Sequence, residues 1–350
     1  MMSSSDRKEI FLNANDSLGA LINEKANELF FSLQHFNQSS LDTADTYNDY
    51  FIHHHLGNRL FFSMQNSAHI LYESVKFSGK PIEEINAIDY GAGLGTLFML
   101  GGMLGFKRFD YNDHLPEWQS TAKAVCKYAG ISITDYITGD INAVVNFAAE
   151  NNIQYDLVLS RNVIEHIYSL PEFYHVIFKH NPGAIVYSTT TANFHNPVMR
   201  WYHIYIHKKV EKLYYKKQRL QEIKKLQPLL TGEKLNELIR LTRGKGQQDF
   251  IDTVKNFLNK KPVTIDKSLR TNVCDCLNGV WSEHLLTKKE YDSILKNAGF
   301  KMQFTAGYWD THYSSALKNF LAGVFNKVIV VFGKERGVII SPFVNVIAYN

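Results

Sequence analysis

The stretch of sequence that decides the fold spans residues 86–96 and reads Asn-Ala-Ile-Asp-Tyr-Gly-Ala-Gly-Leu-Gly-Thr. It begins as an apolar run that ends near Asp89 and continues into three alternate glycines, Gly91, Gly93 and Gly95. Glycine lets the backbone turn tightly and lets a ligand touch the main chain, because it has no side chain to collide. The dinucleotide spacing G-x-G-x-x-G fails in both possible registers. The run therefore predicts a strand, a ligand-binding turn and a helix of another kind.

From about residue 84 onward, short apolar runs alternate with amphipathic stretches. We predict strands at residues 85–90, 108–112, 133–138, 155–160, 184–189, 302–307 and 344–348. Strands that alternate with helical patterns form parallel sheets covered by helices. We therefore predict an α/β fold with a Rossmann-like, mostly parallel sheet of seven strands. The segment at residues 327–333 is compatible with a helix end or a strand.

The glycine-rich run resembles motif I of the class I S-adenosylmethionine-dependent methyltransferases, D/E-x-G-x-G-x-G, and matches it at all four fixed positions. The resemblance implies a class I methyltransferase sheet with S-adenosyl-L-methionine as cofactor. It also implies that the backbone of Gly91, Gly93 and Gly95 lies against the cofactor. The carboxylate of Asp89 would help to hold the cofactor's cationic amino group.

Three later positions follow in the family's order. Asp113 resembles the acidic residue that binds the ribose, with Asp110 as its competitor, and Asp140 resembles the acidic residue beside the adenine amino group. Residues 155–167 resemble the post-motif region, in the style of ubiquinone-biosynthesis-type O-methyltransferases, and this implies that Asn162 packs beside the cofactor. A helix cap or a turn is the structural alternative for each aspartate.

Residues 56–60 read Leu-Gly-Asn-Arg-Leu and loosely resemble the N-P-x-R segment of the ubiquinone-type enzymes, although the proline is absent. In those enzymes an arginine reaches the cofactor's carboxylate, and the resemblance assigns this role to Arg59. A surface salt bridge is the alternative.

Methyl transfer to a hydroxyl group requires a near-attack geometry and a base. His166 follows the fourth predicted strand and His195 follows the fifth, at the sheet edge where α/β proteins bind ligands, so both are candidate catalytic bases. A role in packing is the alternative for each. Residues 162–166 resemble an E-x-x-E-H pattern, in which two glutamates and a histidine can hold a divalent cation. Here Asn162 stands at the first position, which leaves only Glu165 and His166. We therefore assign no metal ligand.

The charge is distributed unevenly along the 350 residues. The net charge is +4, but residues 207–270 contain 17 Lys and Arg against 7 Asp and Glu, which gives +10 there and −6 elsewhere. We predict a helical cap at 1–80, a cofactor-binding core at 81–195, a basic helical insertion at 196–283 and the rest of the core at 284–350. On the insertion, a cationic stripe of Lys208, Lys212, Lys216 and Arg219 runs beside an apolar stripe of Ile206, Val210, Leu213 and Leu220.

Taken together, the motifs predict a methyltransferase that acts on a small-molecule or lipid-like acceptor, at oxygen. The segment 207–225 is a candidate for peripheral membrane contact or for covering the acceptor cleft. The alternatives are a non-catalytic protein of the same fold and a nucleic-acid methyltransferase, and we do not expect a nucleic-acid partner because no binding motif is present. Three cysteines and no long apolar run predict a cytoplasmic protein, and the oligomeric state does not follow from the sequence.

Overall fold

In a computed structural model, the described part of the chain comprises residues 8–37, 53, 55–263 and 272–350. Seven strands form one sheet in the order β3-β2-β1-β4-β5-β7-β6. Their bounds are β1 Asn86–Tyr90, β2 Arg108–Asp113, β3 Tyr136–Thr138, β4 Leu157–Arg161, β5 Ile185–Thr190, β6 Lys301–Ala306 and β7 Val344–Tyr349. Strand β7 runs antiparallel to β5 and β6, whereas the other pairs are parallel. The prediction of a Rossmann-like, mostly parallel sheet of seven strands is confirmed.

Helices flank this sheet and precede it. Their bounds are α1 Ser17–Gln34, α2 Leu60–Ser78, α3 Thr96–Gly101, α4 Pro116–Ala129, α5 Ile141–Glu150, α6 Leu170–His180, α7 Pro197–Val210, α8 Lys216–Leu226, α9 Gly232–Leu241, α10 Gln247–Leu258, α11 Lys288–Ala298 and α12 Ala316–Phe332. A 3₁₀ turn at Gly57–Arg59 leads into α2, and a π-helical turn at Glu211–Tyr215 joins α7 to α8. Residues 327–332, which the sequence left open between helix and strand, belong to α12.

The two N-terminal helices pack directly on the sheet. Ile22 of α1 and Met64 of α2 belong to the same buried cluster as Ala87 of β1 and Leu157 of β4. Burial of each such apolar side chain contributes about 1.5–3 kcal/mol. The N-terminal segment thus supplies part of the core on one face of the sheet.

The insertion contributes a small apolar cluster of its own. Ile223 of α8, Leu238 of α9, Phe250 of α10 and Cys276 are all buried in it. The chain returns to the sheet at α11, whose start carries a capping box of Thr287 and Glu290. All three cysteines are buried free thiols.

One member of the predicted cationic stripe was placed wrongly. Lys208, Lys212 and Lys216 are exposed, but Arg219 is only 1% exposed and forms an ion pair with Glu211. The cause is the π-helical turn, because its wider spacing shifts the helix register and turns Arg219 inward.

Helix α12 carries a run of large exposed apolar side chains. Its large exposed side chains are Leu317, Phe320, Leu321, Val324, Phe325, Val330, Val331 and Phe332. Within the described ranges, none of the helices combines the length and the apolar character that a bilayer span requires.

Candidate functional site

A cavity of about 1140 Å³ opens at the carboxyl ends of β1, β2 and β4. Ligands of open α/β sheets bind at this edge, because the loops that follow the parallel strands converge there. The cavity brings together eight of the residues predicted for the site: Arg59, Asp89, Gly91, Gly93, Gly95, Asp113, Asn162 and His166. The two others, Asp140 and His195, do not line it.

The glycine turn forms the floor of the cavity and could not be built with other residues. Gly91 has φ of 66° and Gly93 has φ of 52°, both in the left-handed region that glycine tolerates. A Cβ on Gly91 would lie 2.7 Å from Cγ1 of Val163, and one on Gly93 would lie 2.5 Å from Cζ3 of Trp118. The turn is therefore a backbone surface that a ligand can approach closely.

The turn is fixed to the second strand through Asp113. Its Oδ2 accepts a hydrogen bond of 2.9 Å from the Gly93 N–H, and its Oδ1 accepts one of 3.0 Å from the Leu115 N–H. Asp110, the other candidate, has different partners, because its Oδ2 accepts hydrogen bonds of 2.7 Å from Arg108 Nε and of 2.5 Å from the Tyr155 hydroxyl. Asp110 does not line the cavity, so Asp113 is the carboxylate that reaches it.

A half-buried cation, Arg161, lies near Asp89, the buried acid of β1. Burial raises the pKa of Asp89 well above its usual value, Asp113 raises it further, and Arg161 opposes this shift. Burial likewise lowers the pKa of Arg161, whose Nη1 donates a 2.6 Å hydrogen bond to the Ser63 hydroxyl. The cavity therefore presents groups of both signs at the end of the sheet.

Arg161 is a cavity residue that the sequence analysis missed. The signal was present, because a charged residue ends the otherwise buried strand β4. A charged residue at the end of such an apolar run calls for a partner or a ligand.

Asn162 and His166 follow β4 and line the cavity, as Arg59 does from the 3₁₀ turn before α2. Asn162 has φ of 55°, and its Oδ1 accepts a 3.3 Å hydrogen bond from the Thr191 N–H. His166 Nδ1 lies 2.9 Å from the Trp281 carbonyl oxygen, to which it donates when protonated. In the neutral ring this arrangement leaves Nε2 as the unprotonated nitrogen. Glu165 is fully buried and does not line the cavity, so only His166 of these two neighbouring residues faces a ligand there.

The structure places Asp140 and His195 outside the cavity. Asp140 is the N-cap of α5, and its Oδ1 accepts from the Asn142 and Ala143 N–H groups at 3.0 and 3.2 Å. His195 is half-buried, and its Nε2 accepts a 2.9 Å hydrogen bond from the Lys288 N–H at the start of α11. Burial, with the charge of Lys288, lowers the pKa of His195. Asp140 is therefore a helix cap, and His195 has a role in packing.

The opposite wall of the cavity comes from the insertion and the late core. Its residues include Ile206, His207, Tyr215, Trp281, Glu283, Asp310 and His312. His203 and His207 lie on α7 beside Glu283, and one potential ligand atom from each of the three residues lies within 4.8 Å of the others. The only sequence signal for this cluster was the spacing of two histidines four residues apart, which places them on one helix face.

No family model matches the chain, and no curated protein matches it. Solved structures are similar to it at low identity. An S-adenosylmethionine-dependent methyltransferase from Clostridium acetobutylicum is 10% identical with a TM-score of 0.39, over 87% of this chain and 96% of that chain. An S-adenosylmethionine-dependent methyltransferase from Agrobacterium tumefaciens is 14% identical with a TM-score of 0.29, over 35% of this chain and 43% of that chain.

A variant of MtNAS in complex with S-adenosylmethionine is 15% identical with a TM-score of 0.30, over 49% of this chain and 56% of that chain. The chain thus spans less than two thirds of the length of several solved structures that it resembles. At this level of similarity, the activity has to be inferred from the side chains of the cavity.

Proposed function

We propose that the chain is an S-adenosylmethionine-dependent methyltransferase. The observation that carries the proposal is that one cavity gathers a glycine turn, the carboxylates of Asp89 and Asp113, and the guanidinium of Arg161. S-adenosylmethionine presents an amino acid group and a ribose, and the cavity contains side chains suited to each of them.

The charges of the cavity fit a zwitterionic amino acid group. Asp89 is suited to accept hydrogen bonds from an ammonium group, while Arg161 and Arg59 are suited to hold a carboxylate. Asp113 accepts two backbone hydrogen bonds and retains lone pairs, since an ionised carboxylate offers about four acceptor positions. It can therefore also accept from the ribose hydroxyls, and the bonds from Gly93 and Leu115 hold it in place to do so.

When bound, the cofactor supplies an activated methyl group. The remaining tasks belong to the chain, which has to orient the acceptor, exclude water and remove a proton from an acceptor hydroxyl. His166 is the best-placed base, because the Trp281 carbonyl fixes Nδ1 as the donor and leaves Nε2 to take the proton. His195 is not proposed for this role, since it lies outside the cavity.

The size of the cavity supports a second ligand beside the cofactor. Its volume of about 1140 Å³ exceeds the ~300–1000 Å³ that is typical for one small-molecule site. Phe62, Tyr215 and Trp281 line it and offer aromatic surface to an apolar acceptor. We propose a small-molecule or lipid-like acceptor that is methylated at oxygen. Membrane contact remains a proposal for segment 207–225, and the exposed apolar face of α12 offers another surface for it.

Calorimetric titration with S-adenosylmethionine tests the proposal. We expect binding by the wild-type chain, and Asp113→Ala should weaken it by about 1.5–3 kcal/mol through the loss of hydrogen bonds to a charged group. Asp110→Asn is the matched control, because Asp110 does not line the cavity. Folded wild-type protein that binds no cofactor would overturn the proposal.

Mass spectrometry of ligands that copurify with the chain addresses the acceptor. A compound that gains 14 mass units in the presence of the cofactor identifies the acceptor and the reaction together. If the chain binds the cofactor but methylates none of the copurified compounds, a non-catalytic protein of this fold would be favoured.

A further inference from the structure

We propose that His203, His207 and Glu283 form a binding site for a divalent transition metal on the insertion wall of the cavity. The three side chains offer potential ligand atoms that all lie within 4.8 Å of one another. Donor atoms that share one tetrahedral ion at about 2.1 Å lie roughly 3.4 Å apart, so small side-chain adjustments complete the geometry. Two imidazoles and one carboxylate are a donor set that suits Zn²⁺ and Fe²⁺.

The fold holds the two histidines on one face of α7. They are four residues apart, about one helical turn, and both are buried, at 3% and 0% exposure. Polar side chains that are this deeply buried require a partner, because water is excluded from them.

Glu283 comes from a distant segment that is fixed against the same helix. Its N–H donates a 3.2 Å hydrogen bond to Asn272 Oδ1. Nearby, the backbones of Cys274 and Trp281 pair in an isolated antiparallel β-bridge. Its Oε2 directly contacts His203 Nδ1 and lies 3.6 Å from His207 Nε2. The carboxylate thus faces both rings.

The hydrogen bond of His203 orients its ring as a metal ligand. Nε2 lies 2.9 Å from the Thr191 carbonyl oxygen, which can only accept, so Nε2 carries the proton in the neutral ring. In that neutral ring Nδ1 carries a lone pair directed at Glu283, where a metal ion can take the place of the proton that the charged ring donates to this carboxylate. Histidines that bind metals usually donate their other N–H to a carbonyl or carboxylate group in this way.

His207 provides the second observation that points to a ligand. Both of its ring nitrogens are buried, and among the described residues neither has a hydrogen-bond partner. A bound cation would satisfy the nitrogen that faces Glu283, and it would also separate the lone pair of His203 from the carboxylate oxygen.

The site opens onto the cavity, since His207 and Glu283 line it. Three protein ligands leave a coordination position free, which is the arrangement of catalytic metal sites. This position could hold the acceptor's hydroxyl oxygen, and the metal would lower the pKa of that hydroxyl so that His166 removes its proton more readily. This role rests on the proposed methyl transfer, whereas metal binding itself does not.

Zn²⁺ titration of the full chain, after chelator treatment and dialysis, tests the site by calorimetry. We expect one ion per chain, and at least about 100-fold weaker binding for His207→Ala and for Glu283→Gln. His175→Ala is the matched control, because His175 is an exposed histidine on α6, and it should bind like the wild type. Absence of stoichiometric binding, or equal weakening by the control, would overturn the proposal.

Co²⁺ absorption of the wild-type chain keeps the test informative if a variant fails to fold. Nitrogen and oxygen ligands give visible d–d bands, whereas thiolate ligands add a strong near-ultraviolet charge-transfer band. A thiolate band would place the ion at Cys274 or Cys276 and overturn the proposal. Cofactor titration of the chelated chain gives a separate readout, so failure of the methyltransferase proposal is distinguishable from failure of the metal site.

Discussion

The two walls of the cavity are built in different ways. The sheet wall takes Asp89, Asp113 and Arg161 from the ends of adjacent strands, where the backbone ladder fixes their positions. The insertion wall takes His207 and Glu283 from segments 76 residues apart, and their approach depends on side-chain packing. In the proposed function the sheet wall binds the cofactor and the insertion wall contacts the acceptor.

The largest expected effect comes from filling the space in the sheet wall. Gly91→Ala combines a left-handed backbone with a Cβ 2.7 Å from Val163, so we expect a loss of about 3–4 kcal/mol in the free energy of unfolding. Gly130→Ala is the matched control, because Gly130 has φ of +67° but open space around its Cβ, and it should lose only about 1–2 kcal/mol. Urea denaturation measures both. Equal losses would show that the turn has no steric requirement beyond its backbone angle.

Acid should lower the free energy of unfolding through His69, which lies on α2, one of the helices packed on the sheet. Burial lowers its pKa from 6.5 to about 4, against an opposing effect of Glu73 and with a small contribution from Lys334. The unfolded chain therefore binds more protons below pH 6.5, so this stability is complete above that pH and declines towards pH 4. The expected loss is about 3 kcal/mol.

Urea denaturation at pH 7.5 and pH 4.5 measures the effect of His69. The variant His69→Gln should show a smaller difference between the two pH values than the wild type. If both proteins lose the same stability, acid destabilises the chain through groups other than His69.

Removing the half-buried cation of the sheet wall, Arg161, should weaken cofactor binding more than removing an exposed one. Arg161→Gln deletes a half-buried guanidinium near Asp89, and we expect a loss of about 2 kcal/mol in binding S-adenosylmethionine. Arg59→Gln changes an exposed residue, for which about 0.5 kcal/mol is typical. Calorimetry on the folded variants compares them. A larger effect at Arg59 would transfer the carboxylate-binding role to that residue.

The smallest expected effect concerns Asp140, which lies outside both walls. Asp140→Ala removes the N-cap of α5, so thermal or urea unfolding should show a loss of about 1 kcal/mol. Cofactor affinity should remain that of the wild type. A loss of affinity without a loss of stability would place Asp140 at the cofactor after all.

The sheet and its ligand-binding edge could be predicted because they depend on local pattern. Alternating apolar runs marked the strands, and the glycine turn identified the edge at which the cavity opens. Pro116 suits the first turn of α4 and so marks Asp113, which precedes it, as a loop residue at the strand end; Asp113 and not Asp110 lines the cavity. These signals act over a few residues, so a single sequence contains them.

The side-chain directions of residues in and beside the insertion could not be predicted, because their contacts join distant segments or depend on the register of a helix. His195 is occupied by the N–H of Lys288, 93 residues away, and nothing near either residue announces that pairing. Arg219 continued a helical charge pattern, but the π-helical turn changed the register before it. Position in a motif tells which loop a residue occupies, whereas the direction of its side chain depends on packing.

The π-helical turn at Glu211–Tyr215 divides one continuous helix into two parts with different neighbours. Before the turn, His203 and His207 face the cavity wall; after it, Arg219 and Ile223 are buried, Ile223 in the apolar cluster of the insertion. One extra residue in a helix rotates everything beyond it by about 100°. Deleting a single residue from this turn would therefore restore a regular helix and force the chain to give up one of these two buried faces, although no residue of either face had been changed.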